Sequence, residues 1–327
     1  MKKQSIGKIM EKYSIFIILV VMIIFCSFMN QNFLKPQNLI NVARQLSVSI
    51  IIAYGEMLLV ISGLIDLSVG SVLALAGVLS IASFQNTGSL AVGFIVAILV
   101  GVACNLVNAF LVTNVNVPPF IATLAMQMSA RGIALYFTNG QNLLQLKEYT
   151  IFGQGNVGPV PNPVIFMLVI TVIIWYVTNH TRYGRSLYAI GGNEAAAVAS
   201  GIDVKRSKYI TFIINGILAG IAGVLFMSRV NAGLPNGAVG YEMEGLTATI
   251  VGGTSFSGGV GTTLGTLVGA FIIGFLNNIM NLTGVDSYIQ QIVKGGIIAV
   301  AVGYDIMSKN KKTRKVIIVD EKEKKEA

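Results

Sequence analysis

Apolar residues run along this chain in long, nearly unbroken stretches, near 14–29, 46–63, 66–84, 90–113, 118–137, 163–178, 208–228, 245–256, 262–282 and 288–305. A helix needs about 17–25 predominantly apolar residues to cross a hydrocarbon core, so ten membrane-crossing helices are predicted. The stretch at 245–256 is the weakest, short and broken by the glycines of "IVGGTSFSGG". Between the runs, 138–162 contains "GQGNVGPVPNP", where Gly and Pro favour turns and an extended path. "LINVARQLS" near 40–45 reads as a short amphipathic piece along the outer surface.

Composition agrees with the pattern. Of 327 residues, 54% are hydrophobic and 11% charged, against roughly 25% charged in a soluble domain. The fold class is therefore an all-α polytopic membrane protein. The net charge of +9 is concentrated in three segments. Lys2, Lys3, Lys8 and Lys12 lie at the start, Arg182, Arg185, Lys205, Arg206 and Lys208 in the interlude at 179–207, and eight more in the tail from Lys309 to Lys325. The positive-inside rule places all three segments in the cytoplasm, and an even number of spans permits this. Residues 1–13 then form a cytoplasmic N-terminus, 14–305 the transmembrane domain and 306–327 a cytoplasmic tail. The expected outer loops hold few basic residues, Lys35, Arg44, Lys147 and Arg229. No basic patch is interleaved with aromatics, which argues against nucleic acid. Cys26 and Cys104 sit in apolar spans and read as small hydrophobes. The start has the basic and apolar regions of a signal peptide, but "NQNFLKPQN" follows instead of a small-residue cleavage site, so an uncleaved first span is expected.

Ionisable groups at membrane depth are costly and are usually paired or functional. Glu56, Asp66, Arg131 and Lys294 fall in this class, with Asp305 at a span end. Ser62 and Gly63 are expected to interrupt the helix after Glu56, and Asp66 to cap the next one. Arg131 and Lys294 are either counter-ions to these acids or snorkel to an interface. Asn105, Asn108, Asn277, Asn278 and Asn281 supply neutral hydrogen-bonding groups. They serve either contacts between helices or a cavity for a polyhydroxylated solute. Glu56, Asp66, Asn105, Asn277 and Asn278 are the residues predicted to line or shape a route. Gly261, Gly265 and Gly269 recur every four residues and predict a helix face open to close packing.

Enzyme chemistry finds little support. A phosphate-cradling P-loop ends in Gly-Lys-Ser/Thr, whereas the one Gly-Lys pair, Gly7-Lys8, is followed by Ile9. The single histidine, His180, has no metal-ligating neighbour in sequence. No catalytic residue, metal site or bound cofactor is expected.

The polar interlude holds "AIGGNEAAAVASGIDVKRSKY". Asn193 is a good N-cap, Glu194 complements the helix dipole, and Ala195, Ala196 and Ala197 give high helix propensity with little bulk. Gly201 can close the helix in a left-handed turn, and Asp203 offers a second cap. Two helical turns are marginal alone in water. Such a helix suits either a partner's groove or a resting place on its own membrane domain.

"NEAAAVASGIDVKRSKY" resembles the EAA loop of permease subunits in ATP-binding-cassette importers. "SGLIDLSVGSVLALAG", "AIGGNEAAAVASGI" and "VGGTSFSGGVGTTLGTLVGAFIIGFLNNIMNLTGV" resemble, in the same order, the ribose and galactose importer permeases. The resemblance covers most of residues 30–305. It implies a permease of the bacterial plasma membrane, surrounded by lipid, that works with a second permease copy, an ATPase subunit and an extracytoplasmic sugar-binding protein. ATP and Mg would be bound by the ATPase, and Asn193, Glu194, Ala195, Ala196 and Gly201 would form the coupling segment. One departure is visible: the general EAA pattern places its glycine four residues after the second alanine, but Gly201 lies five after Ala196. The alternative is an ion-coupled secondary carrier. It would show inverted repeats with paired broken helices, and no second sequence copy is found.

Overall fold

The computed structural model describes residues 6–326, with side chains from 14 to 307. The apolar runs become helices: α1 (Ile6–Met29), α2 (Pro36–Ile61), α3 (Val69–Thr87), α4 (Leu90–Thr113), α5 (Pro119–Thr138), α6 (Ile151–Gln154), α7 (Asn162–His180), α8 (Arg182–Gly192), α9 (Glu194–Ala199), α10 (Val204–Val230), α11 (Tyr241–Val251), α12 (Thr263–Leu282) and α13 (Ser287–Glu326). Among the described residues, eight helices are long and apolar enough to cross a membrane, and Ser14–Met29 of α1 is a shorter apolar stretch. Pro36 and Pro119 open α2 and α5, where a missing N–H costs nothing.

α2 lies at the centre with α3 and α10 packed on it. Its residues from Leu46 to Ile61 are all buried. α4, α5, α7 and α13 form the rim and turn Leu99, Met128, Val172 and Val300 outward, as suits contact with lipid. α4 and α10 approach closely because Gly101 faces Gly216, and Gly220 faces Ala97. A methyl on any of these three glycines would meet opposing backbone.

Contacts fix which ends lie together. Arg44 near the start of α2 donates to Asn156 Oδ1 (2.8 Å) in the two-stranded hairpin Asn156–Val157/Val160–Pro161. Asn30 after α1 donates to the Leu282 carbonyl (2.9 Å) at the end of α12, and Leu143 pairs with Gly233. At the opposite end, Gly259 N–H donates to the Ile61 carbonyl (2.8 Å) and Asp305 of α13 meets Ser255. α8 and α9 lie at this second end.

Several expectations change. The 40–45 piece is no separate surface helix, because α2 runs unbroken from Pro36 and the Arg44 head is taken up by Gln154 O and Asn156 Oδ1. The interlude holds a second helix, α8, capped by Thr181 through Gly184 N–H (2.9 Å). Asp66 does not cap α3: the helix starts after Ser68 with no side-chain cap. Gly261 is not on the α12 face, because Thr262 caps that helix through Gly265 N–H (3.0 Å) and Gly261 stays in the loop. The 245–256 run is not a full span. α11 has 11 residues, about 16 Å at 1.5 Å per residue, roughly half of a 30 Å core. The leg before it, 231–240, is irregular and packs against α5. Non-helical backbone at this depth is tolerated when buried in protein, and Arg131 Nη1 satisfies the carbonyls of Pro235 (2.6 Å) and Gly237 (2.7 Å).

Candidate functional site

Two features concentrate the polar chemistry of the described residues. The first is α9. Asn193 is extended (φ −161°, ψ 104°) and its side chain accepts from Ala196 N–H (3.0 Å), closing the helix start as an N-cap should. Gly201 adopts φ 80°, and Ile202 N–H reaches back to the Ala197 carbonyl (3.1 Å). Ala197 alone in α9 is buried, resting in an apolar cluster with Ile190 and Val204. Glu194, Ala195, Ala196, Val198 and Ala199 all face outward. Glu194 is held to α10 by Lys208 Nζ (2.9 Å), and Asp203 caps α10 through Arg206 N–H (2.9 Å). The result is a small helix, fixed at its base, presenting a smooth face away from the bundle.

The second feature is a buried polar layer where two irregular segments meet. After Ile61 the chain passes Ser62–Ser68 without helix, and α3 begins only at Val69. Asp66 therefore turns inward and accepts from Ser68 N–H (2.6 Å), from the Ser68 hydroxyl and from Asn215 Nδ2 (2.7 Å) on α10. Asn215 also donates to Asn105 Oδ1 (3.2 Å), and Asn108 donates to Ser68 Oγ (3.1 Å). Glu56, fully buried on α2, lies within electrostatic reach of Asp66 and Glu242. Glu242 accepts from Gln127 (3.2 Å) and Gly240 N–H (3.2 Å). A methyl on Gly70 at the start of α3 would collide with the Glu242 carboxylate and sit 2.6 Å from the Ala238 carbonyl. The two interrupted segments thus touch.

A neighbouring pair belongs to α11 and α12. Glu244 accepts from Asn277 Nδ2 (2.6 Å) and Ser49 Oγ (3.4 Å), and Lys294 lies within its electrostatic reach. Asn278 is elsewhere: it exchanges two hydrogen bonds with Asn38 (2.9 and 3.0 Å). Of the residues singled out in sequence, Glu56, Asp66 and Asn105 converge, Asn277 lies in the adjoining pair, and Asn278 is part of neither. Gly265 and Gly269 face the Gly252 and Ala248 carbonyls of the α11 segment. Arg131 and Lys294 turn out to face Glu242 and Glu244 respectively.

Glu242, Glu244 and Asn215 were not singled out in sequence. The first two precede the apolar run at 245–256 and read there as an outer loop. The available signal was "GYEMEG" before an unusually short apolar run, two acids at the start of a half-length helix. Asn215 was one asparagine in a well-formed span, with nothing local to set it apart.

Residues 38–302 match the family described as "Branched-chain amino acid transport system / permease component". The chain belongs to this permease family. It is 40% identical over 302 residues to the ribose import permease protein RbsC of Escherichia coli strain K12, covering 91% of this chain and 94% of the relative. It is 39% identical over 311 residues to RbsC of Bacillus subtilis strain 168, covering 93% and 95%. It is 38% identical over 299 residues to the D-allose transport system permease protein AlsC of E. coli K12, covering 90% and 91%. No solved structure matches. The permease is a multi-pass membrane protein, and ATP hydrolysis falls to a partner subunit of the transport system. Paired broken segments do occur here, as the carrier alternative required, but family membership places them in an importer permease.

Proposed function

We propose that this permease carries a monosaccharide of the ribose or galactose type into the cytoplasm across a bacterial plasma membrane. Two permease copies would form the pathway, with an ATPase docked at the α9 end and a sugar-binding protein at the hairpin end. The cargo class rests on the relatives, whose names specify ribose and D-allose import over nine-tenths of the chain. The family description mentions branched-chain amino acids, a broader grouping than these relatives.

The observation that carries the mechanism is the exposed face of α9. It is capped by Asn193, ended by Gly201 and pinned to α10 by the Glu194–Lys208 pair, so a partner pressing on Glu194, Ala195 and Ala196 moves a fixed body. Nucleotide-driven closure of the ATPases would displace α9 and reopen the pathway to the other side. Asp66 and Asn105, fully buried and joined through Asn215, and the fully buried Glu56 would shape the route. Asn277 and Asn278 would brace α12.

Purification of the tagged permease from native membranes in mild detergent tests this reading. A stoichiometric ATPase should co-purify and be lost on Ala196→Trp, and a co-captured binding protein should take a pentose or hexose. Absence of an ATPase, with uptake that follows an ion gradient, would overturn it.

A further inference from the structure

The glycine-rich loop 252–262 has no part in the function so far, yet it is the meeting point of three elements at the α9 end. Its backbone is fixed by Ser255 N–H to the Val260 carbonyl (3.0 Å) and by Gly259 N–H to the Ile61 carbonyl (2.8 Å) at the end of α2. It abuts the end of α8 without intervening side chains. A methyl on Gly258 would lie 2.8 Å from the Gly191 carbonyl, and one on Gly259 (φ 75°) 2.9 Å from the backbone of Gly192. A methyl on Gly191 would overlap the Ile61 carbonyl. Two side chains add to the junction. Tyr188 of α8 donates its hydroxyl to the Gly261 carbonyl (3.0 Å), and Asp305 of α13 accepts from Ser255 Oγ (3.0 Å) and Phe256 N–H (3.0 Å).

α9 follows α8 after the single residue Asn193, and Ala197 packs on Ile190 of α8. The two helices form one hinged piece at the surface. Side chains can absorb a displacement by changing rotamer, whereas backbone packed on backbone has no such freedom. A push on α9 that moves Gly191 and Gly192 therefore bears directly on the loop, and while Tyr188 holds the two together it carries along the joined ends of α2, α11, α12 and α13.

We propose that loop 252–262 transmits the movement of the coupling helix to the transmembrane helices, with Tyr188 and Asp305 as the positioning residues that keep it engaged. This rests on the coupling role given to α9 above. The loop is thereby a mechanical link and not a nucleotide site, despite its glycines.

The test uses the permease purified with its ATPase in lipid nanodiscs, in a Cys26→Ala, Cys104→Ala background. Spin labels go on Leu99→Cys, exposed on α4, paired with either Val260→Cys in the loop or Ser200→Cys after α9. Distances are read without nucleotide and after trapping with ATP and vanadate. Both pairs should shift on trapping. In the Tyr188→Phe variant, which unties the loop from α8 and leaves the Asp305 bonds to α13 in place, the 200–99 shift should persist while the 260–99 shift falls to less than half. A loop label that stays still while residue 200 moves, or a full 260–99 shift in that variant, overturns the inference alone. A residue-200 label blind to nucleotide, or no co-purifying ATPase, overturns the underlying reading and the inference with it.

Discussion

Asp66 gathers hydrogen bonds from two separate segments, Ser68 beside it and Asn215 across on α10. Asn215 serves both Asp66 and Asn105 with one amide nitrogen. Its loss would strand two buried acceptors, and a stranded buried group costs about 1–3 kcal/mol. Asn215→Ala should therefore lower the thermal midpoint of the purified permease clearly. Asn278→Ala, which removes only a half-buried amide pair with Asn38, should lower it less. Side-by-side melting in detergent checks the order, and the reverse order would mean that the polar layer contributes little to stability.

At the scale of the element, α9 separates a binding face from a base. Ala196 is exposed and Ala197 buried on the Ile190–Val204 cluster. Ala196→Trp should leave melting unchanged and abolish ATPase capture, whereas Ala197→Trp should lower the melting midpoint. Gly201, at φ 80° with open space around it, has room for a methyl but not the backbone preference. Gly201→Ala should cost about 1–2 kcal/mol, the penalty of left-handed geometry. Capture by the ATPase should weaken with it, measured as the fraction co-purified. α8, by contrast, was invisible to a search for long apolar runs. It buries Leu187 and Ile190 and ties Tyr183 to Thr211 (2.8 Å), the pattern of a short amphipathic helix lying on the surface.

For the whole molecule, the orientation we propose rests on charge: the positive-inside rule would put the basic interlude on the cytoplasmic side. A membrane-impermeant maleimide should label Val157→Cys, on the exposed hairpin, in intact cells. Ser200→Cys should label only after the membrane is opened. The opposite pattern would invert the topology and place α9 beyond the reach of a cytoplasmic ATPase.

The sequence alone determined the membrane class and the position of most spans, because unbroken apolar length is a local property that hydrocarbon thickness selects directly. The caps of α9 and α10 were legible for the same reason, since Asn193, Gly201 and Asp203 act within a turn of where they stand. Only the tertiary structure decided what lies at depth. Glu242 and Glu244 enter the core because Arg131 secures the irregular leg before α11, and Asp66 turns from a cap to a tie because Asn215 waits 149 residues away. Such contacts depend on where distant helices cross, and a chain read residue by residue holds no local record of that.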